Sequence, residues 1–247
     1  MSEPLPTYQI QGREVGFPVV VREASSGAAT YLVPSKAARA LLPGPEFELV
    51  ELLPGRGLCV VAIIDYKDND LGDYNEVSIA LFVRPRGERP STPIPYVGNW
   101  IDLFKGNLGV HILHLPVNQA FTCEAGRTIW GYPKTVQEIE FDYAPDRATC
   151  KLVVDGKHAL TLSVPRGGDK TLEESEMKTW SYIDGAPHVT RAKQNVEGMG
   201  VQRGGAELTL GTGPIADQLR SLGLPKKPLM CSWMEKFHAT FGPAEKL

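Results

Sequence analysis

Val136-Gln-Glu-Ile-Glu-Phe-Asp-Tyr143, Ala144-Pro-Asp-Arg147, Ala148-Thr-Cys-Lys-Leu-Val-Val154, Asp155-Gly156 and Lys157-His-Ala-Leu-Thr-Leu-Ser-Val164 run consecutively, and their reading decides the fold class. Ile139, Phe141 and Tyr143 alternate with Glu138, Glu140 and Asp142, the period of two expected of a strand with one wet face. Ala144-Pro-Asp-Arg147 has turn composition, and Asp155-Gly156 is a dipeptide that tolerates positive φ at a tight hairpin. Strands over 136–143, 149–154 and 159–164 therefore form an antiparallel meander.

Outward from the meander the same signals recur. Tyr74–Val83 reads as a strand with Glu76, Ser78, Ala80 and Phe82 on one face and Val77, Ile79, Leu81 and Val83 on the other. Phe47–Leu53 and Leu58–Tyr66 read as strands around the turn Pro54–Gly57, and Phe17–Arg22 and Ala29–Val33 as a hairpin around a loop at Glu23–Ala28. Ser35 precedes a short helix over Lys36–Leu42 that Pro43-Gly44 ends. The pattern weakens after Thr190, leaving a strand at Ala206–Leu210, a helix at Pro214–Leu222 and an unassigned apolar run from Leu229 to Phe241. Pro85–Pro95 reads as a long loop, and with no repeat or linker the whole of 1–247 is expected to be one mainly β domain.

Composition removes several functions. Lys+Arg 26 against Asp+Glu 29 gives a net charge of −3, too little positive field for a nucleic-acid partner. Gly 25 and Pro 20 make the chain turn-rich, below the level of disorder. The longest apolar stretch, Cys59–Ile64, falls far short of the ~20 residues of a membrane helix, and Met1–Phe17 has no apolar leader core. A cytoplasmic protein off the membrane is expected, with Cys59, Cys123, Cys150 and Cys231 as reduced, mostly buried thiols. Gly211-Thr-Gly213-Pro-Ile-Ala216 fits a dinucleotide fingerprint, but too little chain follows for a nucleotide-binding half, so it reads as a turn and a helix start. His111 and His114, three apart in an extended segment, point to opposite faces and do not converge on a metal. Asp65, Asp68, Asp70 and Asp73 miss the calcium-loop spacing and read as an acidic loop.

Gly126-Arg-Thr-Ile-Trp-Gly-Tyr-Pro-Lys-Thr-Val136 stands apart. Lys134 ends an apolar, aromatic run, with Arg127 seven residues back and Glu138 four on as its nearest charges. An ordinary lysine here would snorkel to water. At the usual pKa near 10.4 only about one amine in 2,500 is free at pH 7, whereas a dry pocket penalises the ammonium and frees the amine. Such an amine attacks ketones.

Gly126-Arg127 followed by Tyr132-Pro133-Lys134, with Glu76 on an earlier strand behind Gly72-Asp-Tyr-Asn75 and with Gly12-Arg13-Glu14 near the start, resembles the acetoacetate decarboxylase family. The resemblance runs from about Gly12 to Val164 and more weakly beyond. It implies a closed antiparallel β-cone or barrel with a few short flanking helices, and a Schiff base formed through Lys134, an activation this family exemplifies. It further implies Glu76 as general acid/base and Arg13 as the group that positions Glu76 or the substrate carboxylate, while Ile129, Trp130 and Tyr132 dry the pocket. The expected partners are a small keto acid and further copies of the same chain, with no external cofactor and no metal. Two positions depart from acetoacetate decarboxylases proper: Thr135 replaces a second lysine, and Val61 stands where a glutamate is expected. The reaction expected first is decarboxylation of a β-keto acid. The alternatives are imine-dependent aldol, dehydratase or cyclase chemistry on a 2-keto acid, and a barrel that binds a carboxylated metabolite without turnover.

Overall fold

Two strand-rich layers share one wall in the computed structural model, which describes residues 5–247; residues 1–4, the start of the segment read for a leader, lie outside it. In chain order, β1 (Tyr8–Ile10) and β2 (Arg13–Val15) form a small hairpin, followed by β3 (Val19–Pro34) and α1 (Ser35–Arg39). Next come β4 (Phe47–Leu49), β5 (Glu51–Leu53), β6 (Arg56–Asn69), β7 (Tyr74–Pro85), α2 (Val97–Phe104), β8 (Gly109–Val117), α3 (Ala120–Trp130) and β9 (Lys134–Val136). The meander is β10 (Glu138–Tyr143), β11 (Arg147–Val154) and β12 (Lys157–Pro165). It precedes β13 (Lys170–Ile183), β14 (Ala186–Gln202), β15 (Glu207–Leu210), α4 (Pro214–Ser221) and β16 (Met230–Lys246).

Seven strands close a barrel in the order β7-β6-β3-β16-β14-β13-β8, with β8 returning to β7. Pairing is antiparallel except between β8 and β13, and the short β9 also adds to β8 in parallel. The closed, mainly antiparallel barrel with short helices is therefore present, with two parallel contacts that alternation within a strand cannot reveal. Closure joins the first long strand to the last: β3 lies between β6 and β16.

The meander and β15 form a separate four-stranded sheet outside the barrel. Ile139, Leu152, Leu160, Leu162 and Val164 from that sheet share one buried core with Ala29, Tyr31, Val61, Ile79 and Leu81 from the outer face of β3, β6 and β7. Those wall strands are covered outside by a sheet and lined inside by a cavity, so they read as nearly continuous apolar runs.

The loop expected at Glu23–Ala28 is instead the middle of β3, which continues through it with a register shift at Glu23. Ser-Ser-Gly-Ala carries turn composition here because space is short on both sides. Ser26 and Ala28 face the cavity, while a Cβ on Gly27 would lie 3.1 Å from the Trp233 ring and 3.2 Å from Val164. Gly27→Val should cost about 1–3 kcal/mol, the usual range for overpacking, read as a lower urea midpoint with unchanged slope. An unaffected midpoint would mean that β3 and β12 are not in contact there.

Other departures have similar causes. The unassigned run at Leu229–Phe241 is the core of the 17-residue β16. β13 and β14 escaped prediction because their outer halves carry cross-strand ion pairs, Glu176 with Arg191 and Glu174 with Lys193, in place of apolar alternation. Their turn, Asp184-Gly185, has φ of 50° and 76°, the same chemistry that marked Asp155-Gly156. All four cysteines are free and buried. Among the described residues no helix is long and apolar enough to cross a membrane.

Candidate active site

Lys134 owes its position to α3 and the turn that follows it. The Gln119 side chain accepts the Thr122 N–H at 2.9 Å and starts the helix, and Gly131 ends it at φ 65°. A Cβ on Gly131 would meet the Tyr182 carbonyl oxygen, so a glycine is required there on both counts. The chain then turns through Tyr132-Pro133 and pairs Lys134 with Leu115 of β8, aiming the lysine into the barrel. Its aliphatic stem lies over Gly126 of α3, where a Cβ would stand 2.5 Å from Cδ and 2.7 Å from Cε. Thr122, one turn earlier on the same helix face, accepts a hydrogen bond from Lys134 Nζ at 3.1 Å.

Glu76 of β7 meets the lysine inside the barrel. Lys134 Nζ lies 2.9 Å from Glu76 Oε2, with the two side chains only 4% and 7% exposed. Glu76 Oε2 accepts no well-aligned hydrogen bond among the described residues, and Tyr66 Oη approaches the other oxygen at 3.5 Å. The Tyr74 ring lies 4.9 Å from Lys134 Nζ and stacks on Tyr66 at 4.4 Å. Burial pushes Tyr66 well above the ordinary phenol range, raises Tyr74 and takes Tyr132 up to about 12, so all three phenols are neutral at pH 7. For Lys134, burial is the largest influence and pushes downward, but the Glu76 carboxylate and Tyr74 together more than offset it and hold the ammonium above its ordinary value. The freely deprotonated amine expected from dryness alone is thus corrected.

These groups occupy one part of a cavity of about 350 Å³ inside the barrel. Tyr132 and Trp130 line it, and Trp130 is pinned by its indole N–H donating to the Gly242 carbonyl at 2.9 Å. Ile129 does not line it; that residue is fully buried in the core around the cavity. Arg13 also stays away. It remains exposed on β2, its guanidinium 4.3 Å over the Phe121 ring and its Nη2 donating to the Asp70 carbonyl. It therefore touches the helix that carries Thr122 and Gly126, not Glu76 or the cavity. Val61 points outward into the inter-sheet core, whereas Val60, Ala62 and Ile64 face inward. A one-residue slip in a strand reverses the side-chain face, so Val61 is not where a lost cavity carboxylate would have stood. Thr135 is exposed on β9, away from the cavity.

Thr122, Tyr66 and Tyr74 were not singled out from sequence. Tyr74 was within reach, since it continues the Glu76, Ser78, Ala80 face by two residues. Thr122 was not, because α3 has Gly126 in its interior and two threonines, which weaken the helix signal.

Gly126→Ala should separate positioning from folding. Alanine favours a helix interior by roughly 0.5–1 kcal/mol over glycine, while the added Cβ displaces the lysine stem. The variant should melt no lower than wild type yet trap a keto acid about 10²-fold more slowly, as for a 1 Å misplacement. Wild-type trapping rates would show that the stem is free to adapt.

The remaining motifs have structural partners. His111 Nδ1 bonds the Trp180 carbonyl at 3.0 Å and His114 Nε2 bonds Gln218 Oε1 at 2.7 Å, and burial lowers both pKa values. Arg22 pairs with Asp68 and Asp70, and Asp65 accepts from Tyr143. Gly211–Gly213 links antiparallel edge strand β15 to α4. Among the described residues no three His, Cys, Asp or Glu side chains are grouped so that they could hold a metal ion.

The family model described as acetoacetate decarboxylase matches residues 6–243. No curated protein sequence matches significantly. The acetoacetate decarboxylase of Legionella pneumophila subsp. pneumophila str. Philadelphia 1 superposes with a TM-score of 0.69 at 16% identity, covering 100% of this chain and 92% of its own. The enduracididine biosynthesis enzyme MppR complexed with pyruvate gives 0.64 at 16% identity, covering 94% and 91%. An acetoacetate decarboxylase-like enzyme from Sphingomonas wittichii RW1 gives 0.56 at 13% identity, covering 96% of each chain. At such identities the superpositions establish a common fold, and the family match establishes membership: this chain belongs to the acetoacetate decarboxylase family.

Proposed function

We propose that this protein is a Schiff-base-forming decarboxylase of a β-keto acid, with Lys134 as nucleophile and Glu76 as proton carrier. The observation that carries the reading is a buried amine 2.9 Å from a single carboxylate on the wall of an apolar cavity. The ammonium passes its proton to Glu76, a transfer that desolvation by an entering substrate favours because it replaces two buried charges by none. The free amine attacks the ketone, and the carbonyl π pair moves to oxygen, which takes the proton from Glu76. The attacking nitrogen, now cationic, returns one of its protons to Glu76 and regains its lone pair. Glu76 then protonates the hydroxyl, water leaves, and the nitrogen lone pair forms the iminium. The bond to the β-carboxylate breaks, carbon dioxide departs, and its electron pair enters the iminium to give an enamine. Protonation at carbon and hydrolysis release the ketone and the lysine. Because the iminium is the electron sink, the scheme needs no external cofactor. Tyr132 and Trp130 keep the site dry.

Charge placement favours decarboxylation. Among the described lining residues the cations are Lys134 and Lys178, and Lys178 is drawn toward Glu176 at 3.6 Å, so a carboxylate beside the reacting carbon shares the site with Glu76 and is relieved by leaving as neutral carbon dioxide. The likeness to MppR, solved with pyruvate and with a condensation product of pyruvate, supports the second reading, imine-based aldol, dehydration or cyclisation chemistry on a 2-keto acid. Run in deuterium oxide, a β-keto acid should release one carbon dioxide per turnover and place deuterium on the carbon that lost it. Exchange of the pyruvate methyl hydrogens, without carbon dioxide release from any β-keto acid, would reverse the ranking. Absence of any borohydride-stable adduct would leave a binding barrel. The same reading makes the protein a cytoplasmic assembly of identical chains, which sedimentation and cell fractionation check.

A further inference from the structure

We infer that the substrate is a β-keto acid with a medium-length unbranched apolar tail, seated along the inner faces of β7, β6 and β3. This names the substrate class of the site above and rests on that reading. Two of the three charged groups among the described lining residues, Glu76 and Lys134, stand together, and apart from Lys178 the rest of the lining is apolar with uncharged polar side chains such as Thr30, Thr179 and Gln194. Glu76, Lys134, Tyr66 and Tyr74 hold its reactive end together, which fixes where the keto and carboxylate groups must lie. Away from them, Glu76, Ser78, Ala80 and Phe82 all face inward along β7, six residue steps that at about 3.3 Å each span about 20 Å. Ser78 lies opposite Ala62 on β6, which lies opposite Ala28 on β3. These three small residues form a continuous inner band that leaves room where larger side chains would fill the barrel. Its neighbours Val60 and Phe82 are apolar, and the remaining charged lining group, Lys178, leans on Glu176 at 3.6 Å. A four-carbon keto acid would occupy the reactive end and leave this band wet. At about 350 Å³ the cavity falls instead in the range that encloses drug-sized ligands.

Each methylene moved from water into such a band favours binding about fourfold. Across β-keto acids of four, six, eight and ten carbons, kcat/KM should therefore climb by about that factor per methylene until the cavity is full. A flat or falling series, from a protein that does trap these acids, overturns the inference and leaves the imine reading intact. The converse case is resolved by Lys134→Ala, which forms no imine. Calorimetry should show it binding the nine-carbon methyl ketone, the product of the ten-carbon acid, at least tenfold more tightly than acetone; equal or absent binding of the two counts against the tail site. Ala62→Phe and Ser78→Leu should each lower the eight-carbon to four-carbon ratio of kcat/KM at least tenfold. An unchanged ratio in a folded variant places the tail elsewhere, and if neither folds the wild-type series and the ketone titration decide.

Discussion

Lys134→Ala should yield no borohydride-stable adduct with any keto acid, and turnover should fall to background, a loss on the order of 10⁶ or more. The size follows from the chemistry, since without the amine no iminium forms and no electron sink replaces it. Intact mass after reduction should show wild type gaining one ligand and the variant none. The rival amine in the cavity is Lys178, whose side chain is 31% exposed and near Glu176, so an adduct mapping there would move the nucleophile from Lys134 to Lys178. Truncation also leaves Glu76 buried without its partner, which typically costs about 3–5 kcal/mol unless the carboxylate takes up a proton. A melting curve must therefore accompany the assay. Partial recovery of turnover with added ethylamine would show that the loss lies in the missing amine.

Glu76→Gln should divide binding from turnover. Removing a positioned acid/base costs about 10² to 10⁴ in rate, roughly 3 to 5 kcal/mol of barrier, because loss of water and protonation of the enamine both need a carried proton. Imine trapping should persist. The substitution also removes the charge that holds the Lys134 ammonium high, leaving burial, which penalises the cation and lowers its pKa. The pH of half-maximal trapping rate should accordingly move down relative to wild type. A midpoint that stays or rises would mean that Glu76 does not control the lysine, and wild-type turnover would return Glu76 to a structural role.

Much of this site was legible because it rests on short-range patterns. The alternation Glu76, Ser78, Ala80, Phe82 put one carboxylate among small residues on one face, and all four do face the cavity. Tyr132-Pro133-Lys134 marked an amine in an apolar stretch. What stayed hidden depends on contacts between distant segments. Nothing near Lys134 in sequence announces that Glu76 ends 2.9 Å away, so dryness alone gave the wrong sign for the ammonium. Arg13 was assigned from the resemblance of Gly12-Arg13-Glu14 and Ile129 from its nearness to Lys134 in the chain, and neither lines the cavity. Ser26-Gly27-Ala28 shows that composition has two causes: small residues mark turns, and they also mark strands squeezed between a ring and a cavity.

The seam between β3 and β16 bears on how this enzyme comes into being. Val19–Pro34 leaves the ribosome early, and its neighbour on one side, Met230–Lys246, leaves late. The meander, by contrast, is built of strands adjacent in sequence and needs only short-range closure. Long-range pairing pays its loop-closure entropy before any contact rewards it, so the outer sheet can form during synthesis while the barrel waits for the last strand. Until then the inner face of β3 has one edge open. The nascent chain thus carries both Lys134 and Glu76 long before it has a dry chamber to put them in, and the enclosed pair is complete only when the last strand is in place.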